Sequence, residues 1–131
     1  MKQENQNFLI NTYPFFKREP TGRSSFDLFG FECGDGWFQL IKNLSEELNK
    51  LGVTFKVAQV KEKFGTLRFY VSITDDNASD EQHNKIIDLI NSAEARSASI
   101  CEDCGKYGEI RTRNFRISTL CDECFQPKNG G

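Results

Sequence analysis

The sequence predicts an α+β fold: a short antiparallel β-hairpin packed with two amphipathic helices and followed by a small cysteine-rich ribbon. Three patterns predict it. An apolar period of 3.6 residues starts at Asp35, a Val-, Phe-, Tyr- and Thr-rich stretch is broken by Gly65, and two CxxC pairs stand sixteen residues apart near the C-terminal end. The 131 residues divide into an α+β domain over 1–98 and a ribbon module over 99–131. A hydrophobic share of 37% with 27% charged residues is that of a globular chain, and no apolar run is long enough for a membrane span. Seventeen Lys and Arg against nineteen Asp and Glu leave a net charge of -2. That balance argues against a nucleic-acid binder working by bulk positive charge and against an acidic mimic of DNA. The opening MKQENQNF lacks the apolar centre of a secretion signal, so a cytoplasmic, reducing location is expected.

Nine of the sixteen aromatic residues lie in the first 38 positions: Phe8, Tyr13, Phe15, Phe16, Phe26, Phe29, Phe31, Trp37 and Phe38. Each ring offers roughly 150–250 Å² to bury, so this segment is expected to pack on the core. Pro14, Pro20, Gly22 and Gly30 break it into short pieces and turns.

From Asp35, residues Trp37, Leu40, Ile41, Leu44, Leu48 and Leu51 share one helical face, with Asp35 as N-cap and Gly52 past the C-terminus. Glu46 and Lys50 on the opposite face have the favourable i,i+4 spacing. Residues 54–73 read as a hairpin turning at Phe64 and Gly65, with Glu62 facing Leu67, Val60 facing Phe69 and Ala58 facing Val71. The other face then carries Lys61 opposite Arg68 and Gln59 opposite Tyr70, with Lys63 near the tip. A second helix starts at the S-x-x-Q capping box of Ser79 and Gln82, buries Ile86, Ile87, Ile90 and Ala93, and runs to about Ser97.

Cys101 and Cys104 form one CxxC, and Cys121 and Cys124 the other. Their spacing fits a four-thiolate zinc site, in which each CxxC turn aims two sulfurs at one tetrahedral Zn²⁺. Two disulfides are disfavoured by a reducing compartment, and an iron site of the rubredoxin kind would use the same thiolates. Four thiolates leave no open coordination position, so the metal is expected to be structural, giving a zinc ribbon whose ion substitutes for a core. Between the pairs, GEIRTRNFRISTL reads as a hairpin turning at Arg113 and Asn114. That register faces Thr112 with Phe115, Ile110 with Ile117, and Arg111 with Arg116.

The blocks FECGDGWFQLI, VKEKFGTLRFYVS and CEDCG followed by TLCDEC resemble a group of small proteins encoded in bacteriophage and prophage genomes. The resemblance covers roughly residues 31–125 and implies a bacterial or phage origin and an accessory, non-virion role. It carries over no functional residue.

No catalytic constellation emerges. Cys33, beside a helix start, would be a nucleophile only with a base, and the single histidine, His83, is remote in sequence. Cys33 reads as a buried small residue and His83 as a helix-surface residue. A phosphate in the CGDGW loop would meet Asp35 and be repelled. The basic hairpin faces are the candidate surfaces: Gln59, Lys61, Lys63, Arg68 and Tyr70 on the first, Arg111, Arg113 and Arg116 on the second. Like charges facing each other on a sheet need acidic partners, supplied within the fold by Glu62, Glu102 or Glu109, or from outside it. The first functional expectation is a zinc-stabilised accessory protein that docks on and modulates a host or anti-phage-defence protein. The alternative is a nucleic-acid-binding ribbon in phage transcription or replication. No membrane and no small-molecule substrate is indicated.

Overall fold

The computed structural model describes residues 1–126. Its elements are, in order, helix α1 (Gln3–Thr12), helix α2 (Ser25–Phe29), strand β1 (Phe31–Glu32), helix α3 (Phe38–Lys50), strands β2 (Phe55–Lys63) and β3 (Thr66–Ile73), helix α4 (Asp80–Ser97), strands β4 (Glu109–Arg113) and β5 (Arg116–Leu120), and helix α5 (Asp122–Phe125). Short 3₁₀ turns at Pro14–Phe16 and Asp35–Trp37 link them. The architecture is α+β, with a three-stranded sheet ordered β1-β2-β3 and a separate β4-β5 hairpin.

The sheet is mixed. β1, absent from the sequence expectation, pairs parallel with β2, placing Phe31 beside Val60 and Glu32 beside Lys61. β2 and β3 are antiparallel, and near the tip their register is the expected one, with Lys61 facing Arg68, Val60 facing Phe69 and Glu62 facing Leu67. The turn at Phe64 and Gly65 has φ of 54° and 87°, the left-handed pair that matches the twist of a two-residue hairpin. Farther from the tip the expectation fails. Val57, and not Ala58, faces Val71, because the register shifts between Val57 and Gln59. The extra residue has a packing reason: strict alternation would send Val57 and Val60 to opposite faces, whereas the bulge lets Phe55, Val57 and Val60 all enter the core.

α3 buries Leu40, Ile41, Leu44 and Leu48, as its period requires, and Gly52 follows it at φ 67°. Two of its expected polar contacts differ. Lys50 pairs with Glu47 at 3.5 Å, because Glu46 instead accepts the Tyr13 hydroxyl at 2.7 Å. Asp35 does not cap the helix that follows it. Its Oδ1 accepts the Lys2 N–H and the Asn5 amide, fastening α1 onto the chain. α4 has its capping box, Ser79 with Gln82, and buries Ile86, Ile90 and Ala93, but Ile87 points outward.

The aromatic N-terminal segment supplies one wall of the core. Phe16 touches Phe15, Phe26, Phe31 and Phe69, with ring centroids 4.9–6.1 Å apart. Two of the nine aromatics do not share this burial: Phe29 and Phe8 stay largely exposed. α1 is a ten-residue helix where only short pieces were expected, and it buries just Leu9 fully.

α4 also protects the free edge of the sheet. The N–H groups of Leu67 and Phe69 point away from β2, and α4 supplies their acceptors, Ser97 Oγ at 2.8 Å and Glu94 Oε2 at 2.9 Å. Ser97 is fully buried for this reason.

In the β4-β5 hairpin the turn lies one residue later than expected, which shifts the pairing by two residues. It falls at Asn114 and Phe115, at φ 53° and 65°, so Arg113 faces Arg116 and Arg111 faces Ser118. Asn114 then opens the turn, a position that a two-residue hairpin turn fills well with Asn. A two-residue shift keeps each side chain on its expected face, with Ile110, Thr112 and Ile117 still together, and Thr119 and Leu120 at the end of β5 are buried.

Candidate metal centre and cationic face

The sulfurs of Cys101, Cys104, Cys121 and Cys124 all lie within 4.8 Å of one another. Cys104 and Cys121 Sγ are 3.6 Å apart, close to the ~3.8 Å edge of a tetrahedron with ~2.3 Å metal–sulfur bonds. The all-thiolate set suits a soft tetrahedral ion.

Local hydrogen bonds shape both turns. After α4, the Cys101 N–H donates to the Lys106 carbonyl at 2.7 Å and the Gly105 N–H returns to the Cys101 carbonyl at 2.9 Å, closing a tight knuckle around the first pair. Cys121 stands immediately before α5, where its sulfur accepts the Cys124 N–H. That N–H, the largest influence, helps hold the Cys121 thiol down at about 7, so this sulfur takes thiolate form readily. Burial and the neighbouring thiols push Cys124 the other way.

The knuckle is also a packing surface for the CGDGW loop. Gly36 N–H donates to the Glu102 carbonyl at 2.7 Å, Gly34 N–H to the Glu102 carboxylate at 2.9 Å, and the Trp37 indole to the Ile100 carbonyl at 2.8 Å. A Cβ on Gly36 would sit 2.0 Å from the Cys101 carbonyl oxygen, so only glycine lets the two backbones meet. The glycines of this loop therefore serve contact with the cysteine turn. Cys33 lies behind them, and burial first, then the Glu102 charge, pushes its thiol up to about 12. That is the condition of a buried, unreactive sulfur. His83 sits half-buried in the first turn of α4, remote in sequence from the four cysteines.

The basic residues divide into two groups. On the β4-β5 hairpin, Arg111 pairs with Asp122 and Glu109 and lies over the Phe125 ring at 4.7 Å. Arg116 reaches Glu62 at 3.9 Å. Arg113 pairs with Arg116 through the strand backbone, and its side chain lies outside the described residues. On the outer face of β2-β3, Lys61 and Arg68 stand opposite each other, and among the described residues neither forms an ion pair. Glu32 is beside Lys61 in the sheet without closing one, and Arg68 Nε is buried with no acceptor. Gln59, Lys63 and Tyr70 share this face by alternation, with Tyr70 about half exposed.

Sequence reasoning missed Phe64 and Phe115 as surface residues. Both hairpin turns place a phenylalanine where Asn or Gly is the ordinary choice, and that mismatch was the readable signal. No family model matches the chain, and no curated protein or solved structure matches it either. No described helix is long and apolar enough to cross a membrane.

Proposed function

We propose that the chain is a zinc-stabilised, non-catalytic binding module whose β2-β3 outer face engages an anionic partner. The observation that carries this reading is the Lys61–Arg68 pair: two facing cations with no acid to neutralise them among the described residues, while Arg111 and Arg116 of the other hairpin have theirs. Like charges held together on a sheet cost a few tenths of a kcal/mol, a cost that a bound anion removes. Zinc in the four-thiolate site is structural, because no coordination position stays open for substrate. The C-terminal hairpin with its metal is then a zinc ribbon. Resemblance to phage-encoded proteins adds a host or anti-phage-defence protein as the source of an acidic surface, and the bacterial cytoplasm as the place of encounter. Charge alone suits the phosphates of a nucleic acid equally well.

The test is Lys61→Glu with Arg68→Glu, assayed by fluorescence anisotropy against labelled poly-L-glutamate and a labelled oligonucleotide. The expected result is more than tenfold weaker binding of at least one polyanion with the melting temperature nearly unchanged. Undiminished binding by the reversed protein would overturn the reading.

A further inference from the structure

The two turn phenylalanines have no folding reason to be where they are. Phe64 is 65% exposed and Phe115 fully exposed, so neither gains burial, and both sit in the left-handed region that bulky residues avoid. Strain without burial marks a residue kept for what it meets outside the fold.

The tip of the first hairpin is held against strand β5 of the second. Thr119 Oγ1 donates to the Gly65 carbonyl, a Cβ on Gly65 would meet Ile117 Cγ2 at 3.3 Å, and Arg116 approaches Glu62. Cations accompany the rings: Lys63 Nζ lies 5.5 Å from the Phe64 ring centroid, Arg116 follows Phe115 directly, and Arg68 is two residues from Tyr70 on one face. One end of a chain of net charge -2 thus combines exposed rings with Lys61, Lys63 and Arg68, which form no ion pair among the described residues.

An acidic protein surface would satisfy the cations and leave the rings unused. Duplex nucleic acid hides its base faces. A single strand offers phosphates and open π-faces together, the combination that aromatic platforms in basic grooves recognise. We infer that this end of the molecule binds single-stranded nucleic acid, with phosphates at Lys61, Lys63 and Arg68 and bases stacked on Tyr70, Phe64 and Phe115. The inference rests on the anionic-partner reading and names the partner for that same face. The metal contributes by holding β5, which leads from Phe115, against the tip that carries Phe64.

The experiment measures anisotropy of labelled ten-nucleotide oligothymidylate and oligouridylate, a duplex of equal length, and poly-L-glutamate, with the metal-loaded full chain. The single strands are expected to bind at least tenfold tighter than duplex or polyglutamate. Their log–log salt slope should be about -2, from three phosphate contacts at ~0.7 each. Phe64→Asn with Phe115→Gly gives each turn a residue it favours, so the fold is kept, and single-strand affinity should fall tenfold or more. Undiminished single-strand binding by this variant overturns the inference. If polyglutamate binds as tightly as the single strands and is lost only on reversal of Lys61 and Arg68, the inference falls while the anionic-partner reading stands. If no polyanion binds, both fall.

Discussion

The indole N–H of Trp37 donates to the carbonyl oxygen of Ile100 at 2.8 Å, and Ile100 directly precedes the first cysteine of the four-sulfur cluster. The only tryptophan of the chain, fully buried, is thereby tied to the knuckle of the metal centre. Chelating the metal should release residues 100–106 and admit water to the indole. A red shift of Trp37 emission, returning when Zn²⁺ is added back, is the expected result. Unchanged emission would mean that the GDGW loop holds without the metal.

Elemental analysis should find one tetrahedral ion per chain. Cys101→Ser or Cys124→Ser should lower that occupancy severely, since each removes one of the four clustered sulfurs. Cys33→Ala should leave it unchanged, because Cys33 packs in the aromatic core.

Gly36→Ala brings a methyl group to 2.0 Å from the Cys101 carbonyl oxygen and 2.5 Å from that of Glu102. One backbone must give way, at ~1–3 kcal/mol. The loss should appear as a lower melting temperature together with weaker metal retention against a competing chelator. A purely local effect would leave metal retention intact.

Ser97→Ala deprives the buried Leu67 N–H of its acceptor. Leaving such a donor unsatisfied costs ~1–3 kcal/mol. Urea denaturation should show a lower midpoint with an unchanged slope, and the Leu67 amide should exchange with solvent faster than in the parent.

Acid should destabilise the fold through Asp27. The Glu19 N–H, and after it Ser24 and Lys56, hold this carboxyl below its ordinary value against the opposing effect of burial. A depressed carboxylate adds stability that is full above the unfolded value, about 3.9, and is lost as pH falls through the lower folded value. Asp27→Asn should therefore be less stable than the parent at pH 7, with the difference shrinking below about pH 4. A pH-independent difference would show that charge plays no part at this position.

Helices α3 and α4, the tip of the first hairpin and the four-cysteine cluster were legible in the sequence because each follows from a local rule. A 3.6-residue period wrote α3, the Ser79–Gln82 box wrote the start of α4, and Phe64-Gly65 wrote the turn. What escaped depends on contacts distant in sequence. The bulge near Ala58 answers a demand of the core for Val57 and Val60 together, and β1 exists only because β2 has an open edge beside it. The turn of the β4-β5 hairpin was misread by one residue because Asn114 can occupy either position of a two-residue turn, and both registers keep the same side chains on each face, so alternation does not select between them. The four-cysteine cluster was readable from spacing alone, whereas Gly34 and Gly36 could not be connected to it without the fold.

The ties from Gly34 to Glu102 and from Trp37 to Ile100 span 68 and 63 residues. On the ribosome, at ~5–20 residues per second, the anchors of the CGDGW loop emerge roughly 3–13 seconds after the loop itself. Throughout that interval Gly34, Gly36 and Trp37 have N–H groups whose acceptors do not yet exist, although Phe16, Phe26 and Phe31 can already pack on one another and on Phe69. The aromatic core is thus within reach of a nascent chain before the loop beside it is, and fixing of the CGDGW loop belongs to the last stage of folding.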